Sequence, residues 1–123
     1  MTEFLPGIYK VLQKTDRGNT TEINIFIIPG KKGERSLMID AGFQDENCLA
    51  QMEGVLKELD ISYEDLDVFL THKHHDHSGL ASVYADRGAT IYMNPLEERH
   101  HYDCLFYSTK KRIPKNRIKS FIV

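Results

Sequence analysis

Four of the six histidines in this chain fall inside one short run, Thr71-His72-Lys73-His74-His75-Asp76-His77-Ser78-Gly79, directly behind the apolar stretch Leu66-Asp67-Val68-Phe69-Leu70. That arrangement constrains the fold more than any other feature. The apolar stretch reads as a buried strand, and a strand end delivers the following loop to the edge of a sheet, where several side chains can turn onto one point. His72 and His74 stand two apart, so in extended backbone they point the same way and can chelate one ion. Asp76 and His77 sit at the bend and can face a second. Imidazole nitrogen and carboxylate oxygen suit zinc best, one ion or two, with manganese or iron also compatible. A nucleophilic serine is a poor alternative, because Ser78 stands on no strand-turn elbow of the GxSxG kind. It reads as a cap for the helix that follows.

Around this run the chain alternates between two periodicities. Residues 8–12, 23–28 and 36–39 are rich in β-branched and large apolar types and read as strands of an antiparallel meander. Asp16-Arg17-Gly18-Asn19 and Pro29-Gly30-Lys31-Lys32-Gly33 supply the turn residues between them. After Asp40-Ala41-Gly42 the spacing changes: Cys48, Leu49, Met52, Val55, Leu56 and Leu59 form one helical stripe that should pack on the sheet. Beyond the histidines, 79–86 reads as a short helix and 89–93 as a strand. Asn94-Pro95-Leu96-Glu97 opens a further helix to about residue 107 by its cap, its proline and its glutamate. The basic residues Lys110, Lys111, Arg112, Lys115, Arg117 and Lys119 read as a solvated loop leading into a strand over 118–123.

A chain of 123 residues with 41% hydrophobic content suits one domain, here taken as 1–123, that buries roughly two thirds of its unfolded surface. The formal charge of -2 gives no support to a nucleic-acid partner. Cys48 and Cys104 are too few for a disulfide framework, and no run approaches the ~20 apolar residues of a membrane span. A cytoplasmic protein with no membrane partner is expected.

The pattern His72-x-His74-x-Asp76-His77, with Ser78-Gly79 behind it, resembles the principal motif of the metallo-β-lactamase superfamily, whose members include glyoxalase II, lactonases, arylsulfatases, ribonuclease Z and flavodiiron proteins. Residues 21–28 followed by Ser36-Leu37-Met38-Ile39-Asp40-Ala41-Gly42 resemble the opening strands of that family and its first-motif aspartate, and the resemblance spans roughly 5–95. It implies that His72 and His74 bind metal one and that Asp76 and His77 bind metal two. It also implies that Asp40 steadies the histidine loop by hydrogen bonding; the alternative for Asp40 is a plain turn-former before Gly42. His75 lies at a variable position of the motif and is not counted as a ligand.

The fold implied is α/β, the N-terminal half of an αβ/βα sandwich, a mixed sheet with helices on one face. In the family the second half adds a third histidine for metal one, a bridging aspartate and a last histidine for metal two. His100 and His101 fall on the helix expected over 94–107 and read as its surface, so the chain is expected to be a truncated domain lacking those ligands.

The implied activity is a metal-dependent hydrolase in which a metal-bound hydroxide attacks a small ester, thioester, lactone, amide or phosphoester and Asp76 orients the attacking water. The alternatives are a di-iron oxidoreductase of flavodiiron type and a metal-binding fragment without catalysis. With half of the sandwich missing, the sheet should leave Ile25, Ile27, Met38 or their neighbours uncovered. A homo-oligomer, or association with a C-terminal half, is the expected remedy.

Overall fold

The chain forms one mixed sheet in the computed structural model, which describes residues 1–15, 21–43, 45–71, 80–93 and 118–120. Among these residues seven strands stand side by side in chain order. They are β1 (Thr2–Leu5), β2 (Ile8–Thr15), β3 (Thr21–Ile28), β4 (Ser36–Ile39), β5 (Leu66–Phe69), β6 (Thr90–Met93) and β7 (Ile118–Ser120). β1 to β4 pair antiparallel, as the meander reading requires, and β4 to β7 pair parallel. Antiparallel neighbours need only short turns, whereas parallel neighbours need crossovers. Helix α1 (Glu46–Glu58) lies in the connection from β4 to β5, and α2 (Ala81–Asp86) in that from β5 to β6.

The turn at 16–19, the histidine segment 72–79, the helix over 94–107 and the basic residues 110–117 lie outside the described residues. β2 and β3 are in register down to Thr15 and Thr21. β1 was not anticipated. All four of its residues are exposed, so it carries no alternation to read, and it pairs with β2 through the turn at Pro6-Gly7, where Gly7 adopts φ +80°.

Helix α1 carries out the stripe expected of it. Asp45 caps its start by accepting from the Asn47 amide at 2.7 Å, and Cys48, Met52, Val55 and Leu56 are buried. At its end Asp60 adopts φ +56°, with Ile61 N donating to Leu56 O at 2.8 Å and Asp60 N to Lys57 O at 3.1 Å. These bonds make a Schellman turn, and an aspartate tolerates the left-handed position better than most residues. The turn reverses the chain into a single 3-10 turn (Tyr63–Asp65) and β5. Arg35 fixes the start of the parallel pair: its guanidinium donates to Asp67 Oδ1 at 2.9 Å, Glu64 O at 3.1 Å and Leu66 O at 3.3 Å.

Strand alternation assigns the two sheet faces. Val11, Ile25, Ile27, Met38, Leu66, Val68, Ile91 and Met93 are fully buried and form one core cluster with Met52 and Leu56 of α1 and Tyr84 of α2. Ile25, Ile27 and Met38, named above as candidates for the uncovered face, therefore lie on the helix-covered one. The reason is parity: Glu22 and Asn24 are exposed, which turns Ile23, Ile25 and Ile27 toward the core. Their neighbours Phe26, Ile28, Leu37, Ile39, Phe69 and Tyr92 take the opposite face and are half-buried. Phe4 of β1 meets Phe26 edge-on there, with ring centroids 5.8 Å apart.

Candidate metal centre

Because β4 and β5 run parallel and adjacent, the residues just past their ends meet at one edge of the sheet. Asp40 follows β4, and its amide donates to Phe69 O of β5 at 2.8 Å. Leu70 follows β5, and its amide donates to Tyr92 O of β6 at 2.9 Å. The next residue, Thr71, is the last described one before the histidines.

Asp40 holds Thr71 directly. Its Oδ1 accepts from the Thr71 amide at 2.9 Å and from Thr71 Oγ1 at 2.8 Å, and its Oδ2 lies 3.0 Å from the same hydroxyl. The aspartate is 5% exposed and adopts φ +69°. A left-handed non-glycine residue beside a functional loop is held there by its surroundings, and here the carboxylate bonds supply the hold. The resemblance implied a hydrogen bond from Asp40 to the histidine loop, and the bond reaches Thr71 at the doorway of that loop. A plain turn-former would not need a buried carboxylate with these partners.

The residues after Asp40 are pinned one by one. Ala41 O accepts from the Tyr84 hydroxyl at 2.9 Å. Tyr84 is fully buried, and that burial pushes its phenol well above the usual range, so it remains a donor at neutral pH. Gly42 adopts φ +98°, and its carbonyl accepts from Leu80 N at 3.3 Å. Phe43 N donates to Gln13 Oε1 at 3.2 Å. Residues 40–43 thus hold Thr71 on one side of the histidine segment and Leu80 on the other.

His72, His74, Asp76 and His77 lie within 72–79, outside the described residues, as do His75, Ser78, His100 and His101. Among the described residues no group of three or more His, Cys, Asp or Glu side chains could hold a metal. The side chains of the segment, four imidazoles and a carboxylate, are of the types that suit a transition metal, and its two ends are held at one sheet edge. Such an ion fits this location. Sequence reasoning gave no role to Thr71, Tyr84 or Gln13. For Gln13 a signal was present: it shares strand parity with Val11 and so puts a polar residue on the buried face.

No helix among the described residues is long and apolar enough to cross a membrane. No curated protein matches the chain. Solved structures do share its fold. A metallo-beta-lactamase family protein from Thermus thermophilus superposes with TM-score 0.66 at 21% identity, over 94% of this chain and 43% of that one. A metallo-beta-lactamase from Pontibacter korlensis gives TM-score 0.71 at 18% identity, over 99% of this chain and 52% of that one. A beta-lactamase domain protein from Burkholderia ambifaria gives 0.70 at 24% identity, over 89% and 34%. The chain therefore spans about half or less of the length of these structures. Residues 19–121 match the sequence pattern of the metallo-beta-lactamase superfamily, and with that match added to the sheet order and the aspartate loop, the chain belongs to this superfamily.

Proposed function

We propose that the chain supplies the HxHxDH half of a binuclear metal-dependent hydrolase site that acts on a small ester, thioester, lactone, amide or phosphoester. In this reading His72 and His74 hold one ion and Asp76 and His77 the other, with zinc as the preferred metal. The observation that carries it is the anchoring of both ends of the histidine segment by residues 40–43, through Asp40 at Thr71 and Gly42 at Leu80. Superfamily membership supports the hydrolytic class. A bound ion of this kind supplies a water of lowered pKa and a charge that polarises the substrate oxygen. Asp76 would orient that water, and His72, His74 and His77 would hold the ions. The few cysteines support a cytoplasmic setting.

Two protein ligands per ion are fewer than the three that catalytic zinc normally has. The zinc-loaded chain is accordingly expected to bind metal yet turn over generic thioesters, lactones and phosphodiesters slowly or not at all. Steady-state assays with and without chelator test this. Robust chelator-sensitive turnover would mean that further ligands come from this chain or from a second copy, and a chain that takes up no zinc would sink the reading.

The half-buried apolar face of Phe26, Ile28, Leu37, Ile39, Phe69 and Tyr92 bears on assembly. The structural relatives are about twice as long or more, and an apolar face wider than a few hundred Å² seldom stays open to water. For the 123-residue chain we assign its cover to a second copy packed face to face. Sedimentation over a micromolar dilution series is expected to show a dimer. A monomer with a sharp unfolding transition would remove the assignment, and a co-purified C-terminal half, seen by mass spectrometry, would replace it.

A further inference from the structure

Gln13 is the one polar side chain among the fully buried residues described on β2 and β3, which otherwise include Val11, Ile25 and Ile27. A carboxamide removed from water without partners is costly, so its position is set by the bonds it makes. Its Oε1 accepts from Phe43 N at 3.2 Å and its Nε2 donates to Cys48 O at 3.4 Å. Both partners lie on the stretch that carries the chain from the aspartate loop into α1.

Gly42 rests against the same carboxamide. A Cβ at Gly42 would fall 2.4 Å from Gln13 Oε1 and 2.9 Å from its Cδ and Nε2, at a φ of +98° that side chains rarely adopt. Loop and amide are therefore fitted to each other: the glycine makes room for the glutamine, and the glutamine supports the backbone that follows it. The loop so supported holds Thr71 through Asp40 and Leu80 through Gly42, the residues that flank the histidine segment.

We propose that Gln13 is a positioning residue for the metal centre, fixing residues 42 and 43 above the sheet and through them the spacing between the two ends of the histidine segment. The inference rests on the hydrolase reading for the identity of the ligands. Gln13 touches no ligand itself. Its effect passes through backbone, which distinguishes it from Asp40.

The test uses the full chain and cobalt(II) alone, whose visible absorption reports coordination geometry. Gln13→Met keeps the length and volume of the side chain while removing both hydrogen bonds. Outer partners of a metal site are worth about 10- to 100-fold in affinity, and the expected result is a cobalt dissociation constant raised about tenfold, with a shifted absorption band. Amide exchange at Thr71 and Leu80 should also speed up in the metal-free variant. Gln51→Met removes an exposed glutamine that bonds Leu12 O at 3.0 Å on the same strand and should change none of these readouts. If Gln13→Met fails to fold, Gln13→Asn, which keeps the amide but shortens its reach, is measured in the same way.

A folded Gln13 variant with lowered melting temperature but wild-type cobalt affinity, spectrum and exchange at Thr71 and Leu80 would reduce Gln13 to a core residue and overturn the proposal alone. A wild-type chain that binds no cobalt would overturn the hydrolase reading and the proposal together.

Discussion

Replacing His72 and His74 together by alanine is expected to abolish one bound zinc per chain and weaken the second. The two side chains are the proposed ligands of one ion, so their loss leaves that ion without a protein donor. Outer partners alone are worth about 10- to 100-fold in metal affinity, and removal of direct ligands should exceed the upper figure. Titration calorimetry joined to elemental analysis measures both number and affinity. The same analysis identifies the metal: iron with visible absorption would move the protein toward the flavodiiron alternative, and colourless zinc supports hydrolysis. Unchanged stoichiometry in the double variant would leave the proposed site without a foundation.

The second large effect is expected at Asp40. In Asp40→Ala the Thr71 amide and hydroxyl lose their acceptor, and an alanine must occupy φ +69°. A hydrogen bond to a charged group contributes about 1.5–3 kcal/mol, and alanine tolerates the left-handed region less well than the aspartate it replaces. A destabilisation of about 3 kcal/mol follows, measurable by denaturant titration. Zinc affinity should fall about 10- to 100-fold as the start of the histidine segment loosens. Asp40→Asn tolerates the same backbone and keeps one acceptor oxygen, so it should lie between wild type and alanine in both measurements. If Asp40→Ala lowers stability while competition with a chelator finds zinc affinity intact, Asp40 serves the turn and not the metal.

These residues also show how far the sequence could be read. The histidine segment invites a metal reading because ligand types are dense there and a strand precedes them, and the structure describes its two flanks, Thr71 and Leu80. Helix α1 is legible because Cys48, Met52, Val55 and Leu56 repeat at helical spacing, and the structure buries all of them. Sheet faces were harder. Ile25, Phe26, Ile27 and Ile28 are apolar in unbroken succession, so that part of β3 does not choose a face, and only the exposed Glu22 and Asn24 do. β1 gave no pattern because all four of its residues are exposed. Gln13 depends on Phe43 and Cys48, thirty or more residues away, and no local rule predicts a partner at that separation.

Thr71 and Leu80 are bound to the same short loop, so the backbone between them is a ring closed by Asp40 and Gly42. Bringing the ends of a flexible segment together costs conformational entropy that grows as about (3/2)RT ln n with its length. An ion gathering ligands from an open chain must supply that entropy from its own binding free energy. Here the folded sheet has already met the end-to-end part, so an ion of the proposed kind would be spared it.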